Sequence, residues 1–292
     1  MKEIVVISGK GGTGKTSITA SFAMLAGNDA IVADCDVDAA DMHMLLSPEI
    51  KHKEPFYSGQ LAVIDADSCI QCGKCADICR FNAIPYQEGI YKINAIACEG
   101  CGYCARICPT SAIHMEERKA GRWFISNTKA NNTMIHADLD IGAENSGKLV
   151  AKVKNEAKKI AFKQNAPYVI VDGSPGIGCP VQSSLTGASY VVLVTEPTVS
   201  GLHDLERVVE VVKRFKLKSG CIINKSDLNH AIYQQIIDFL VHKDIQLLTS
   251  IPFDPIFTNM MIKGKTVVEN GDYAVAEKIE EAWNKIKIFN QI

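Results

Sequence analysis

The feature that most constrains the fold of this 292-residue chain is a glycine-rich loop close to its start. An apolar stretch, Lys2–Ser8, runs into Gly9-Lys10-Gly11-Gly12-Thr13-Gly14-Lys15-Thr16, and helical spacing predicts a helix over Thr16–Ala26. A strand, a G-x-x-x-x-G-K-[ST] loop and a helix in this order form the phosphate-binding turn of parallel α/β proteins. The loop therefore predicts a mostly parallel sheet with helices on both faces and a site for a nucleoside triphosphate.

The rest of the chain repeats this alternation of strand and helix. Apolar runs predict strands at Ala30–Asp34, Tyr168–Asp172, Tyr190–Thr195, Cys221–Asn224 and Ile245–Ile251. Helices fit between them, for example over Gly201–Phe215 with Ser200 as its N-cap. A strand is also expected at Arg122–Ser126. Short buried strands that alternate with amphipathic helices are typical of a parallel sheet.

The loop and the strand ends supply the residues expected to bind nucleotide. Backbone N–H groups of the loop wrap the phosphates, Lys15 neutralises β- and γ-phosphate charge, and the Thr16 hydroxyl ligates magnesium. Asp172 ends a strand and is expected to hold magnesium through a water molecule. The predicted nucleotide-binding residues are Gly11, Gly12, Thr13, Gly14, Lys15, Thr16, Ser17, Asp172 and Asn224.

Two further polar segments follow strands at the edge where ligands bind in such sheets. Asp34, Asp36 and Asp38 follow the second strand. Asn224-Lys225-Ser226-Asp227 matches the N-K-x-D pattern that recognises guanine in GTPases, so these residues alone leave ATP and GTP both open.

A cysteine-rich segment interrupts the α/β pattern. Val63–Ile84 matches Lys92–Ile113 at a constant offset, without insertion or deletion. Each copy contains a C-x2-C-x2-C-x3-C run, and a proline follows the second run, which is the spacing of bacterial two-cluster ferredoxins. Zinc knuckles separate their cysteine pairs by longer loops, and disulfides are disfavoured where thiols stay reduced. We therefore predict a domain at 1–55 and 117–292 and an inserted ferredoxin-like α+β domain at 56–116.

In this spacing the fourth cysteine of each run binds the other cluster. Both predicted clusters are 4Fe–4S clusters. Cluster I is expected to use Cys69, Cys72, Cys75 and Cys108, and cluster II is expected to use Cys98, Cys101, Cys104 and Cys79. The isoleucines expected to bury the clusters are Ile64, Ile70, Ile78, Ile84, Ile93, Ile107 and Ile113. Such clusters suit one-electron transfer.

Composition limits the partners and the compartment. With 31 basic and 33 acidic residues the formal charge is −2, which predicts neither nucleic acid nor an anionic membrane as a main partner. The first apolar run is too short for a signal peptide, and no stretch is long enough to span a membrane. A cytoplasmic location is expected. Cys35 and Cys221 are expected to be core residues.

The loop also resembles a known family. Lys10 makes it K-G-G-T-G-K-T, which is similar to the deviant Walker A motif of the MinD/ParA and nitrogenase-iron-protein group of ATPases. The resemblance extends over Ala33–Asp36, Gly173–Pro180 and Asn145–Leu149, and the whole chain resembles MinD-superfamily ATPases that contain an inserted ferredoxin domain.

The resemblance implies several functional features. It implies a homodimer around Mg-ATP in which Lys10 reaches the partner's nucleotide, with Lys10, Lys15 and Asp36 catalytic. Asp36 would orient the attacking water, and Asn224 would contact adenine. Cys179 stands at the offset from Asp172 of a cluster ligand in the nitrogenase iron protein, but a matching second cysteine is missing, so a structural role is expected.

The expected function is nucleotide-gated electron transfer from the clusters to a redox or metal-cofactor partner protein. One alternative is a carrier that assembles iron–sulfur or other metal cofactors. Another is MinD-like positioning at a membrane through the last helix. Acidic residues early in that helix disfavour the membrane alternative, and we expect the helix from Ala274 to pack on the sheet.

Overall fold

The computed structural model describes residues 1–38, 40–143, 146–269 and 274–290. Asn145, which begins one of the resembling segments, lies outside these residues. The chain forms two compact units. The first comprises Met1–Lys53, Trp123–Asp138 and Ser146–Ile292, and the second comprises Glu54–Arg122 and Leu139–Asn145. The insert predicted at 56–116 lies within the first range of the second unit.

Strands and helices alternate along most of the described chain. The strands are β1 (Lys2–Ser8), β2 (Ala30–Asp34), β3 (Glu49–Ile64), β4 (Tyr86–Gln87), β5 (Ile90–Tyr91), β6 (Ile113–Asn127), β7 (Thr133–Leu139), β8 (Tyr168–Asp172), β9 (Tyr190–Thr195), β10 (Ser219–Asn224) and β11 (Gln246–Ile251). The helices are α1 (Lys15–Ala26), α2 (Met42–Leu46), α3 (Lys74–Ile78), α4 (Tyr103–Ile107), α5 (Ser146–Gln164), α6 (Cys179–Leu185), α7 (Val199–Arg214), α8 (His230–His242), α9 (Ile256–Ile262) and α10 (Ala274–Asn290).

The main sheet has the strand order β11-β10-β9-β1-β8-β2-β7-β6-β3. From β11 to β7 each strand pairs in parallel with its neighbour. Alternate side chains of β1 point to opposite faces, yet Ile4, Val5, Val6 and Ile7 are all fully buried. The sheet is therefore covered on both faces, and the predicted parallel α/β class is confirmed.

Helices α1 and α10 pack together on one face. Phe22 of α1 stacks on Trp283 of α10 with ring centroids 5.4 Å apart, and Ile279 and Ile286 of α10 are fully buried in the same core. As expected, the apolar face of the last helix packs within the fold. No helix in the described ranges is long and apolar enough to cross a membrane.

The start of α7 differs from the sequence prediction. The helix spans Val199–Arg214, and Thr198 rather than Ser200 is its N-cap, accepting a hydrogen bond from the backbone N–H of Gly201 at 3.0 Å. Thr198 has the extended backbone that an N-cap requires, whereas Ser200 already lies in the first turn.

The second unit contains the internal repeat. Helix α3 begins at Lys74 and α4 begins at Tyr103, which are matching positions of the two copies. Each helix follows a glycine with positive φ, Gly73 at 75° and Gly102 at 72°. A small core formed around Ala62, Ile84 and Ile113 lies between the two copies. The duplicated sequence therefore folds as two similar cysteine-bearing turns, each leading into a short helix.

Candidate functional site

The glycine-rich loop turns sharply between β1 and α1. Gly12 and Gly14 have φ values of 78° and 87°, which side chains other than glycine rarely adopt. A Cβ at Gly14 would lie 2.5 Å from Nδ2 of Asn224. The loop thus requires glycine for its backbone conformation and for its close contact with β10. It leaves backbone N–H groups at the start of α1 available for an anion.

Lys15 lies between two carboxylates. Its Nζ is 2.9 Å from Asp172 Oδ1 and 3.3 Å from Asp36 Oδ2, and its side chain is almost completely buried. Burial lowers the pKa of Lys15, but the charges of Asp172 and Asp36 outweigh that effect and raise it. Lys15 is therefore a buried cation that phosphate oxygens can attract away from its carboxylate partners.

Asp172, at the end of β8, collects several donors. Besides Lys15, it accepts a hydrogen bond from Thr16 Oγ1 at 2.8 Å, and Thr19 Oγ1 lies 2.9 Å from its other oxygen. Because the Thr16 hydroxyl points its hydrogen at Asp172, the lone pairs of its oxygen are left to bind a cation. This arrangement fits magnesium ligated by Thr16 and held by Asp172 through water. Thr19 was not identified from the sequence, because a threonine inside a helix carries no distinctive signal.

The three aspartates that follow β2 lie at different depths. Asp36 and Asp38 line the cavity beside the loop, whereas Asp34 is buried and accepts a hydrogen bond from the Asp36 backbone N–H at 3.2 Å. Burial raises the pKa of Asp36, and burial beside Asp172 raises that of Asp34 well above its usual range. Asp36 is thus placed to face a ligand, and Asp34 supports its backbone.

The N-K-x-D residues make bonds within the fold. The Asn224 side-chain amide donates to the Thr13 carbonyl at 2.8 Å, and the backbone N–H of Phe253 donates to Asp227 Oδ1 at 2.6 Å. Asn224 also lines the cavity, together with Phe253 and Phe257. Asn224 therefore supports the loop in this structure and also borders the cavity.

The sequence did not reveal a cluster of charges around the early lysine. Lys10 Nζ lies 2.8 Å from Glu196, 3.1 Å from Thr198 Oγ1 and 2.9 Å from Ser200 Oγ. Lys225 Nζ contacts the other Glu196 oxygen at 2.8 Å. Although burial opposes it, these two lysines lower the pKa of Glu196. Within one chain, Lys10 is therefore held at the start of α7.

The loop and the strand ends border one cavity of about 620 Å³ in the first unit. This volume is within the usual range for sites that bind small molecules. Every residue of the predicted nucleotide-binding set lines the cavity except Asp172, which contacts Lys15 and Thr16 from beneath it. Residues from the strand ends and from the segment after β11 also line it, among them Asp36, Asp38, Ser174, Pro175, Lys225, Phe253 and Phe257.

Among the described residues of the second unit, four cysteines line each of two cavities. The residues of one, about 440 Å³, include Cys79, Cys98, Cys101 and Cys104. The residues of the other include Cys69, Cys72, Cys75 and Cys108. Each cavity is thus lined by three cysteines of one run and the fourth cysteine of the other, which are the two predicted ligand sets. The second cavity measures only about 20 Å³, so it must widen to admit a cluster.

The surroundings of the fourth cysteines match in the two copies. The backbone N–H of Ala83 donates to Cys79 Sγ at 3.3 Å, and that of Ala112 donates to Cys108 Sγ at the same distance. Burial opposes the shift, but hydrogen bonds from Thr110 and from backbone N–H groups hold the pKa of Cys108 below its usual value. Amide donors to sulfur are features that stabilise cluster thiolates. The cysteines present therefore fit two clusters in number, chemistry and hydrogen bonding.

The arrangement of the cysteines suits a cluster rather than a single metal ion. In the described residues no three His, Cys, Asp or Glu side chains converge to hold a single metal ion. Ligands of a cluster surround it rather than converge on one point, so cysteines that line a cavity suit a cluster better than an ion. Ile70 and Ile78, whose side chains are 63% and 41% exposed, each line one of the two cysteine cavities. That they bury the clusters stays a prediction.

The remaining cysteines differ in exposure. Cys35 and Cys221 are fully buried, as expected, and burial raises the pKa of both thiols. Cys179 is exposed as the first residue of α6, and a Cβ at Gly147 would lie 3.4 Å from its Cβ.

Comparisons with known proteins identify a family and a shared fold. The profile of the CobQ/CobB/MinD/ParA nucleotide binding domain matches residues 4–267. An uncharacterised protein of Methanocaldococcus jannaschii is 35% identical over 289 residues, 98% of this chain and 97% of that protein.

Solved structures share the fold at low identity. The MinD cell division protein of Aquifex aeolicus superposes with a TM-score of 0.59 at 17% identity, covering 98% of this chain and 97% of that one. MinD of Pyrococcus horikoshii in complex with Mg-ADP gives 0.58 at 17% identity, covering 99% and 97%. At this identity the likeness shows the fold alone.

Proposed function

This chain belongs to the CobQ/CobB/MinD/ParA nucleotide binding domain family, and we propose that it is an ATPase whose nucleotide state controls electron transfer from two 4Fe–4S clusters to a partner protein. The observation that carries the proposal is the pair of cysteine cavities. Each is lined by four cysteines drawn from both runs, in a chain that also has a complete phosphate-binding loop.

At the nucleotide site, binding of Mg-ATP changes the partners of the charged side chains. Lys15 leaves the carboxylates of Asp172 and Asp36 and neutralises β- and γ-phosphate oxygens. The Thr16 oxygen would ligate magnesium while its hydroxyl goes on donating a hydrogen bond to Asp172. Asp36, freed from Lys15, accepts a hydrogen bond from the attacking water and orients it. ATP is preferred over GTP, because Asp227, the residue of the N-K-x-D pattern that would recognise guanine, is not among the described residues that line the nucleotide cavity.

Lys10 links hydrolysis to dimerisation. In the single chain its charge is balanced by Glu196, beside the N-terminus of α7, where a cation is unfavourable. The γ-phosphate of a second protomer carries more negative charge than one carboxylate, so it competes for Lys10. We therefore place the nucleotide between two copies of the chain, each of which supplies its Lys10 to the other.

In the second unit, eight cysteine thiolates would hold the clusters. Cys69, Cys72, Cys75 and Cys108 would hold cluster I, and Cys98, Cys101, Cys104 and Cys79 would hold cluster II. When bound, each cluster supplies one-electron transfer at low potential. The amides of Ala83 and Ala112 stabilise the fourth thiolate of each set. The partner is a protein that accepts single electrons, such as a redox or metal-cofactor protein.

Two other functions fit the observations less well. A carrier that donates clusters requires labile ligation, whereas two complete four-cysteine sets hold clusters firmly. Positioning at a membrane, as a MinD-like protein, would need the apolar face of α10, but Ile279, Trp283 and Ile286 of that face are buried.

The proposal is tested by following electrons and iron together. Protein purified without oxygen should contain about eight iron atoms and eight acid-labile sulfides per chain, since each cluster contributes about four of each. Reduced protein is then mixed with a candidate apo-acceptor, with ATP or without it. Nucleotide-dependent oxidation with the iron retained supports gated electron transfer. Iron that moves to the acceptor would instead establish the carrier function.

A variant separates hydrolysis from binding. Asp36→Asn should retain ATP binding and lose most of the hydrolysis, because a neutral amide oxygen accepts the hydrogen bond of the attacking water more weakly than the carboxylate does and can be replaced there by the amide NH2. If this variant hydrolyses ATP at the wild-type rate, the role assigned to Asp36 is wrong.

A further inference from the structure

One arginine joins two distant backbone segments within the second unit. Arg118 of β6 donates from Nη1 to the carbonyl oxygen of Cys98 at 3.2 Å and from Nη2 to the carbonyl oxygen of Gly142 at 2.8 Å. Bonds from a guanidinium are stronger than those between neutral groups, and its planar fork fixes the positions of both acceptors. Arg118 therefore connects a cysteine of the cluster II set to the segment that follows β7.

Both acceptor segments are ordered turns. Before Cys98, the side chain of Asn94 accepts the backbone N–H of Ile96 at 3.0 Å, and the Cys98 N–H donates to the Asn94 carbonyl at 3.0 Å. Gly142 has a φ of 70°, and a Cβ there would lie 3.1 Å from a methyl carbon of Ile96. The two turns are therefore in contact. Arg118 donates one hydrogen bond to a carbonyl oxygen of each turn.

This connection is not duplicated with the repeat. Arg118 lies five residues beyond the end of the second copy at Ile113, and the residue at the same distance beyond the first copy is Gly89, which has no side chain to make the equivalent bond. The repeat differs again at Arg80, which lines the cavity of cluster II where the other copy has Pro109. Arg80 and Arg118 thus place two positive charges near cluster II that have no counterparts at the matching positions near cluster I.

We propose that Arg118 is a positioning residue that orders the turn before Cys98 and raises the reduction potential of cluster II relative to cluster I. The inference rests on the proposed clusters. A positive charge that donates to the backbone of a ligand stabilises the reduced and more negative form, so it raises the potential.

The test is a redox titration of the intact protein, followed by electron paramagnetic resonance, in the wild type and three variants. Arg118→Gln removes the charge and the fork, and Arg118→Lys keeps the charge. Lys119→Gln removes one charge from the next residue, whose side chain is half exposed and 3.9 Å from Asp140. We expect Arg118→Gln to make one of the two potentials more negative and to leave the other unchanged. Arg118→Lys should recover most of the loss, and Lys119→Gln should change neither potential.

Equal shifts of both potentials, no shift, or the same shift in Lys119→Gln would overturn the proposed tuning. Hydrogen exchange tests the ordering of the turn without reference to iron. In Arg118→Gln, backbone amides of residues 94–98 and 139–143 should exchange about tenfold faster, the equivalent of about 1.4 kcal/mol. Unchanged exchange would show that Arg118 does not order these turns. Protein that contains no iron would refute the proposed function and the tuning, while the exchange result would still decide the positioning role.

Discussion

Replacing Thr19 by valine tests the geometry around Asp172 without any cluster or partner. Thr19 is fully buried, and its hydroxyl lies 2.9 Å from Asp172 Oδ1 and 2.8 Å from the Lys15 carbonyl. A hydroxyl has one proton, so it donates to one of these acceptors at a time. If it donates to the buried carboxylate, Thr19→Val removes a hydrogen bond to a charged group and should cost about 1.5–3 kcal/mol of unfolding free energy.

The matched control is Ser21→Ala in the same helix. Ser21 is also fully buried, but its hydroxyl donates only to the Ser17 carbonyl, at 2.7 Å. Its replacement should cost less than about 1 kcal/mol, because alanine also favours the helix.

Urea unfolding should be followed by tryptophan fluorescence, since Trp123 and Trp283 are both buried in the first unit and report on it. Equal losses in the two variants would show that Thr19 bonds only its own helix, and the assigned geometry of Asp172 would then be wrong.

Three further predictions concern other parts of the molecule. If the fourth cysteine of each run binds the cluster of the other run, Cys79→Ala with Cys101→Ala removes two ligands of cluster II and should retain about four iron atoms. Cys79→Ala with Cys72→Ala removes one ligand of each cluster and should retain almost no iron, and the opposite pattern would refute this ligand assignment. Glu196→Gln releases the early lysine of the loop from its own chain, so sedimentation with a non-hydrolysable ATP analogue should show dimerisation about two- to fivefold tighter, and weaker dimerisation would contradict this. Burial lowers the pKa of His136 to about 4. Between pH 6.5 and 4 the unfolded chain therefore binds more protons than the folded chain, and the free energy of unfolding should fall by up to about 3 kcal/mol as the pH is lowered through that window. His136→Gln should remove this part of the pH dependence of urea unfolding, and an unchanged pH profile would contradict the assignment.

The sequence was most informative where one short segment determines the local structure. Strands β1, β2, β8 and β9 have the predicted bounds, because each is a continuous apolar run that ends at a polar residue. The loop was identifiable because its glycines and Lys15 must stand at fixed spacing to wrap a phosphate. The repeat was equally clear, since two cysteine runs with identical spacing at a constant offset leave few alternatives.

Contacts between distant segments were not predictable. Glu196 pairs with Lys10 from the far side of the chain, and no local pattern indicates which glutamate will meet which lysine. Arg118 is likewise one of six arginines, and nothing in the local sequence indicates that the fold brings it to Cys98.

The most direct test of the account is whether the nucleotide site affects the clusters. Protein reduced with dithionite and freed of excess reductant is mixed with a one-electron dye, and the rate of cluster oxidation is measured with ATP and with ADP. The account predicts a different rate with ATP than with ADP in the wild type, and a single rate in Lys15→Gln, which lacks the cation that binds the phosphates. Identical rates with ATP and ADP in a wild-type protein that hydrolyses ATP and contains both clusters would contradict the proposed coupling.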